Sequence, residues 1–243
     1  QDTTKYGIDL YGKSRLAELL ERLSKIDGIK WIRFLYAYPE SITDELIQTV
    51  KNNDKICNYF DIPIQHISNS VLKRMNRKST AEEIENLIEK IKKEIPEVVL
   101  RTSLIVGFPG ETEQDFEKLH NFVAKAKFDK LGVFKYSKED GTPAARLPEQ
   151  IHYKTKEKRH NKIMELAQKI SREKLEEKIG KEYEVLIENK TFDGKYYIGR
   201  TYMDIPETDG LVFIPNTEPN WVEIRVKTKI KDVQNSDLIG ESQ

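Results

Sequence analysis

The stretch 98–116 constrains the fold of this chain most strongly. It begins with a short run of mostly apolar, β-branched residues, which predicts a buried strand. A turn rich in glycine and proline follows at 107–110, and Thr112 with Asp115 forms a capping-box pattern that would begin a helix. In parallel α/β folds ligands bind where such strands end, although an ordinary βα corner carries the same signature.

Length and composition indicate a folded protein with balanced charge. The 243 residues suffice for one large domain, or for a medium and a small one, and 41 basic residues match 41 acidic ones. No apolar run approaches the roughly 20 residues of a membrane span, and no signal peptide is evident, so we expect a cytoplasmic protein. Because the chain starts without Met in a turn-like segment, we expect it to be a piece of a longer protein.

The only cysteine is Cys57. This excludes an internal disulfide and any metal site built from several cysteines of this chain. Since Cys57 precedes an apolar strand, we expect it to be a small buried hydrophobic residue. The sequence contains no nucleophile elbow, phosphate loop or zinc motif.

The first half of the chain alternates strand and helix patterns. The predicted strands are 31–38, 59–64, 98–106 and 130–136, and the predicted helices are 14–26, 43–52, 70–75, 80–95 and 113–127. The expected N-caps are Ser14, then Ser41 or Thr43, and Thr80 with Glu83. Four strands that alternate with helices imply parallel βαβ units, too few for a closed eightfold barrel.

The second half changes character after a long basic helix over 154–179, which we expect to be a linker at the end of the first domain. Gly180 ends this helix, and period-two patterns follow at 183–188, 196–202, 210–215 and 221–227. Such short strands predict a small antiparallel β-barrel, so we expect domains at 1–179 and 180–243. Residues 181–243 hold eight Lys or Arg against twelve Asp or Glu, which makes the barrel net acidic.

Candidate site residues are the polar side chains near the carboxyl ends of the predicted parallel strands. Each of them has an ordinary structural explanation when taken alone. They are Tyr36, Gln65, His66, Arg101, Ser103, Tyr136 and Ser137. From the residues alone, the prediction stops at an α/β ligand-binding domain with a β-barrel appended.

Four segments together closely resemble the radical S-adenosylmethionine (SAM) methylthiotransferases. They are DIPIQHISNSVLKRMNRKST, RTSLIVGFPGETEQDF, FKYSKEDGTPAARLP and YIGRTYMDIPETDGLVFIP. The resemblance implies an incomplete radical SAM (βα)6 partial TIM barrel, of which this chain holds the last four βα units, followed by a TRAM barrel. The family's N-terminal domain and its C-x-x-x-C-x-x-C segment have no counterpart in these residues.

Two short motifs favour one branch of that family. QDTTKYGIDLYG at 1–12 and PIQH at 63–66 resemble the branch that modifies the β-carbon of an aspartate in a small-subunit ribosomal protein. The net acidic barrel suits a basic ribosomal protein better than it suits tRNA. The alternatives are a methylthiotransferase acting on adenosine in tRNA and a non-catalytic module that binds RNA or protein.

The resemblance implies SAM as cofactor, together with two 4Fe-4S clusters in the full-length protein and none bound to this chain, which would be inactive alone. It assigns SAM binding to Arg101, Ser103, Gly107, Phe108 and Gly110, with Gln65 and His66 near the ribose or methionine and Phe134 and Tyr136 near the adenine. The family pattern G-x-I-x-G-x-x-E fits imperfectly, because Ser103 replaces the first glycine and Glu111 comes one place late. The resemblance assigns no catalytic residue and no metal ligand in this chain.

Overall fold

A computed structural model describes residues 2–217 and 224–242, and the chain divides into two compact units, 1–168 and 169–243. The helices are α1 (Ile8–Tyr11), α2 (Leu16–Ser24), α3 (Asp44–Lys51), α4 (Asn69–Arg74), α5 (Ala81–Glu94), α6 (Glu113–Ala126) and α7 (Tyr153–Glu176). The strands are β1 (Tyr59–Asp61), β2 (Val99–Val106), β3 (Lys130–Lys135), β4 (Glu182–Lys190), β5 (Tyr196–Arg200), β6 (Val212–Pro215), β7 (Arg225–Gln234) and β8 (Asp237–Ser242).

The first unit is built around a parallel sheet in the order β1-β2-β3. The central strand β2 pairs with β1 over Val99, Leu100 and Arg101, and with β3 from Arg101 to Val106. Helices lie between successive strands in the chain, which is the βαβ arrangement expected for a parallel sheet. The predicted parallel α/β fold is therefore confirmed.

The predicted strand at 31–38 is wrong except at one residue. Ile32 forms a single parallel bridge with Ile56, and no ladder continues through the described residues that follow it. Tyr36 explains the interruption, because its φ of 59° is left-handed and cannot belong to a regular strand. Its N–H donates to the carboxylate of Asp61 at 3.1 Å instead of to a strand carbonyl.

The predicted strand at 59–64 ends at Asp61, after which the N–H of Ile62 still donates to the carbonyl of Arg101 at 2.9 Å but the pairing with β2 then shifts by one residue. The side chain of Thr102 on β2 bridges this gap. Its hydroxyl donates to the carbonyl of Ile62 at 2.7 Å and accepts from the N–H of Ile64 at 3.4 Å. Pairing with β2 resumes at Gln65, whose N–H donates to the carbonyl of Ser103 at 2.9 Å.

Local capping signals position three helices as predicted. Thr80 with Glu83 forms a capping box at α5, Thr112 with Asp115 forms one at α6, and Thr43 caps α3. Ser14 is not the cap of α2, since its hydroxyl donates to the carbonyl of Thr4. The predicted loop at 1–13 also contains the short helix α1.

The core of the first unit lies between one face of the sheet and helices α5 and α6. Its fully or almost fully buried side chains are Leu100, Leu104 and Val106 on β2, Ile84, Ile88 and Ile91 on α5, and Phe116, Leu119 and Val123 on α6. Burying each such side chain contributes roughly 1.5–3 kcal/mol. The sheet is therefore held by this face, which leaves its other face for a site.

The second unit is a closed barrel in the order β4-β5-β6-β8-β7. Four of its pairings are antiparallel, but β6 pairs with β8 in parallel, so the barrel is mixed rather than purely antiparallel. Sequence patterning missed β8, because that strand is short and half polar. The first residues of the predicted strand 221–227 lie outside the described residues, and β7 begins at Arg225.

Candidate functional site

Strand β2 has one buried face and one half-open face. Thr102, Leu104 and Val106 are buried, whereas the alternating Arg101, Ser103 and Ile105 are only half-buried. Because side chains alternate along a strand, these three lie on one face, which we call the open face. The register places Gly132 of β3 beside Ser103, and Phe134 beside Ile105.

Gln65 and Ser103 are brought together in the middle of the open face. The Gln65 side-chain amide donates to the Ser103 hydroxyl at 3.2 Å. Gln65 has a φ of 67°, and ladder bonds to Ser103 and Ile105 on both sides hold this conformation. A non-glycine residue with a left-handed backbone is strained and persists only where the surrounding structure stabilises it. Such residues cluster at ligand sites.

Arg101 and Phe134 supply a cation and an aromatic surface to the open face. Arg101 is half-buried, and its guanidinium makes no hydrogen bond or ion pair within the described part of the chain. Phe134 is 59% exposed, although a phenylalanine is normally buried in a fold of this size. These two residues and the Gln65–Ser103 pair are the predicted site residues that the structure places on the open face.

His66 does not share that face. It is fully buried, and its Nδ1 accepts the N–H of Ser68 at 2.9 Å, which leaves the proton on Nε2. Nε2 lies 3.7 Å from a carboxylate oxygen of Glu111 and has no hydrogen-bond partner among the described residues. The ring of His66 therefore lies beside the carboxylate of Glu111 under the turn, whereas the side chain of Gln65 lies on the open face.

The glycine-rich turn is organised around the buried carboxylate of Glu111. One of its oxygens accepts the N–H groups of Gly107 at 2.6 Å and Phe108 at 3.3 Å. The other accepts a guanidinium N–H of Arg159 at 2.8 Å. The amides of Gly107 and Phe108 are thus bonded to Glu111 and that of Gly110 to the carbonyl of Glu149, so the turn presents a fixed backbone rather than a vacant anion site.

Both predicted glycines of the turn are required by their surroundings. Gly107 has a φ of 73°, and a Cβ there would lie 2.4 Å from Cγ of Lys156. Gly110 has a φ of 81°, and a Cβ there would meet the guanidinium of Arg74. Any other residue at these two positions would have a strained backbone and a Cβ too close to a neighbouring side chain. Glycine therefore allows the turn to pack closely against Lys156 and Arg74.

Phe108 and Tyr136 form an aromatic pair behind the turn. Their rings meet edge to face with centroids 5.0 Å apart, and the N–H of Tyr136 donates to the carbonyl of Val106 at 2.9 Å. The Tyr136 hydroxyl is buried without a hydrogen-bond partner in the described ranges. The structure therefore brings these two predicted residues together and fixes them to the end of β2.

A second buried carboxylate, Asp115, fixes the start of α6. It accepts hydrogen bonds from the hydroxyls of Ser68, Ser70 and Thr112. Burial alone raises the pKa of Asp115, but the hydrogen bonds from Ser68 and Thr112 outweigh it and hold the pKa well below its usual range. Asp115 is therefore a structural anion that connects α6 to the segment after β1.

Sequence reasoning missed the contributions of Glu111, Arg159 and Lys156. Glu111 left a weak signal, since it stands one place late in the family pattern. Arg159 and Lys156 left none, because they follow the turn by more than 40 residues on a helix that the sequence suggests is a linker. Contacts over such separations carry no local pattern.

The described residues offer no metal centre. Cys57 is buried, as predicted, and no group of three or more His, Cys, Asp or Glu side chains that could hold a metal occurs in residues 2–217 and 224–242. In the same ranges, no helix is both long and apolar enough to cross a membrane.

Comparison with known proteins confirms the resemblance. Residues 9–123 match the family model of the radical SAM superfamily, and residues 179–242 match that of the TRAM domain. The ribosomal protein uS12 methylthiotransferase RimO of Alkaliphilus oremlandii is 64% identical over 242 residues, which is 99% of this chain and 55% of that protein. This chain is therefore similar to RimO over almost its whole length. The protein of the same name from Clostridioides difficile is 55% identical over 99% of this chain and 54% of its own length.

The chain spans about half the length of the curated relatives that it matches. Among solved structures, coproporphyrinogen III oxidase (HemN) of Escherichia coli, a radical SAM enzyme, aligns with 65% of this chain and 37% of its own. Its TM-score of 0.47 and its 18% identity are too low to bear on the argument.

Proposed function

We propose that this chain is part of a radical SAM methylthiotransferase that modifies ribosomal protein uS12. The observation that carries the proposal is the 64% identity over 99% of the chain to a protein of that name. The match to both radical SAM and TRAM family models in one chain supports it. The methylthio group would be attached to the β-carbon of an aspartate, as the sequence resemblance implies.

The open face has the chemistry that SAM requires. The guanidinium of Arg101 can pair with a carboxylate, the Gln65–Ser103 pair can bind hydroxyl groups, and the exposed ring of Phe134 can stack on a base. When bound, SAM would supply a deoxyadenosyl radical after reductive cleavage. The chain's own residues would bind and orient it, with the 107–110 turn and the Phe108–Tyr136 pair closing the end of the site.

An iron-sulfur cluster does not fit the described residues, because Cys57 is alone and buried. We therefore assign no step through a cluster to this chain and expect it to be inactive when isolated. Anaerobic reconstitution of the purified chain with iron and sulfide should give no cluster absorption band. A stoichiometric band would contradict this expectation.

The barrel would contribute to recognition of the basic substrate protein. Its residues are net acidic, but two of the three carboxylates in the loop at 204–209 accept hydrogen bonds from within the barrel unit. Asp204 accepts from Thr201, and Asp209 accepts from the N–H of Ile205, whereas Glu207 is exposed. Recognition of uS12 would therefore depend on the exposed acidic side chains of the strands as well. A ribosomal protein substrate would also be consistent with an enzyme of the cytoplasm.

Deletion of the gene for the full-length protein tests the proposed function. Mass spectrometry of uS12 from the deletion strain should show loss of one methylthio group, which the intact gene restores, and tRNA nucleosides should be unchanged. Loss of a methylthio group from tRNA adenosine, with uS12 unchanged, would support the tRNA enzyme instead. No change in either molecule would contradict both reactions.

A further inference from the structure

The segment between the two matched family ranges contains side chains that reach the glycine-rich turn. Residues 124–178 belong to neither range, and they include β3 and helix α7. Sequence patterning suggests that α7 is a linker. Two of its residues in the first unit, Lys156 and Arg159, instead contact the turn directly.

Arg159 holds the carboxylate that shapes the turn. Its guanidinium donates to Oε1 of Glu111 at 2.8 Å and to the backbone carbonyl of Glu111 at 3.0 Å, and it also reaches the carboxylate of Glu113 at 3.1 Å. The side chains of Arg159 and Glu111 are 6% and 0% exposed. Charge-assisted bonds in such a dry setting fix geometry strongly.

Glu111 passes this constraint to the backbone of the turn. Its second oxygen accepts the N–H groups of Gly107 and Phe108, the first two residues after β2. A carboxylate held on one side by a guanidinium and on the other by two amides has little freedom to rotate. The position of Arg159 therefore sets the orientation of the first two peptide groups of the turn.

Lys156, one helical turn earlier on the same face of α7, covers the turn from outside. Its aliphatic stem packs on Gly107, where a Cβ would collide with it. Its ammonium donates to the carbonyl of Tyr136 at 2.8 Å and lies 4.8 Å from the centre of that ring. Burial lowers the pKa of Lys156, in keeping with a desolvated contact.

We propose that the 156–159 turn of α7 is part of the ligand site and that Arg159 is a positioning residue, acting through Glu111 on the 107–111 turn. This inference rests on the proposed function, because it takes SAM as the ligand that the turn orients. A purely structural role for Arg159 would affect stability alone. A positioning role also changes the conformation of the turn and the affinity for SAM.

The test uses the full-length protein that carries this chain, reconstituted with its clusters, and two substitutions of Arg159. Arg159→Met removes every charged bond to Glu111. Arg159→Lys keeps the charge but loses the planar guanidinium that reaches the carboxylates of Glu111 and Glu113 at the same time. Ile163→Val, at a fully buried site on the same helix, controls for lost stability. Arg172→Met, at an exposed ion pair with Glu176, controls for charge removed from α7.

Hydrogen exchange at the turn is the readout that does not depend on activity. In Arg159→Met, exchange of the Gly107 and Phe108 amides should accelerate by about tenfold or more, because the carboxylate that accepts them is released. Arg159→Lys should lie between Arg159→Met and wild type, and neither control should change exchange at these amides relative to the rest of β2. Unchanged exchange in Arg159→Met would overturn the proposal.

SAM affinity separates positioning from stability. The dissociation constant for SAM should rise about tenfold in Arg159→Met and remain within twofold of wild type in both controls. Glu111→Gln should have the same effect, and the double variant should be no worse than the weaker-binding single variant, since both act through one contact. Equal SAM affinity in Arg159→Met and Ile163→Val would show a structural role only and would overturn the proposal.

The two proposals fail in different ways. If the wild-type protein does not bind SAM, the proposed function is contradicted, while the exchange experiment still decides whether α7 fixes the turn. If the protein modifies uS12 but Arg159→Met leaves both exchange and SAM affinity unchanged, the positioning role alone is contradicted.

Discussion

At the scale of single residues, Gly107 shows how a turn can be fixed by what packs on it. Gly107→Ala should lower the free energy of unfolding by about 1–3 kcal/mol, because it combines a left-handed φ with a contact on Lys156. Urea denaturation measures the loss. Gly141→Ala is the matched control, since Gly141 has a φ of 83° with open space around its Cβ position.

Double variants separate the effect of the Lys156 contact from the effect of the left-handed φ. Lys156→Ala should recover part of the loss in Gly107→Ala, because it removes the colliding stem, and should leave the loss in Gly141→Ala unchanged. Equal losses of unfolding free energy at both glycines, with no recovery by Lys156→Ala, would mean that the packing of Lys156 on Gly107 does not contribute to the loss.

Asp115 makes stability depend on pH in the acid range. Its pKa is lowered in the folded protein, so its contribution is complete above the unfolded value of about 4 and is lost as the pH falls below that. Asp115→Asn should therefore cost about 1–3 kcal/mol at pH 7, with a difference from wild type that shrinks below about pH 4. Urea denaturation across pH 3–7 would show it, and Asp54→Asn, at an exposed site, controls for net charge. A constant difference at all pH values would contradict the assignment.

At the scale of elements, Thr102 joins the 62–64 segment to β2 where the ladder is interrupted after Ile62. Thr102→Val should destabilise the protein by about 1–3 kcal/mol, because two buried backbone groups of the 62–64 segment lose their partner. Thr102→Ser, which keeps the hydroxyl, should retain most of the stability. Equilibrium unfolding distinguishes the two, and a loss in Thr102→Ser as large as that in Thr102→Val would contradict the role of the hydroxyl.

The elements also show why sequence prediction succeeded in some places and failed in others. The capping boxes at Thr80 and Thr112 were predictable, because each depends on residues three positions apart. The absence of a regular strand at 31–38 was not predictable, because the left-handed conformation of Tyr36 is stabilised by a hydrogen bond to Asp61, which lies 25 positions later. For the same reason the turn itself could be located from its glycines, whereas its bonds to Arg159 could not.

At the scale of the whole molecule, the remaining question is where the barrel unit begins. The sequence predicts a boundary at 179–180 and the TRAM match begins at 179, whereas the compact unit of the structure begins at residue 169. The difference is the last part of α7, which includes the buried side chains of Ile170 and Leu175. Residues 169–243 should thus fold as a barrel that is more stable than residues 180–243.

Two fragments and one substitution decide between these boundaries. Since burial of each large aliphatic side chain contributes roughly 1.5–3 kcal/mol, the longer fragment should exceed the shorter one by about 3 kcal/mol or more in urea denaturation. Leu175→Ala in the longer fragment should remove about half of that advantage. Equal stability of the two fragments would place the boundary at Gly180 and assign the end of α7 to a connection between the domains.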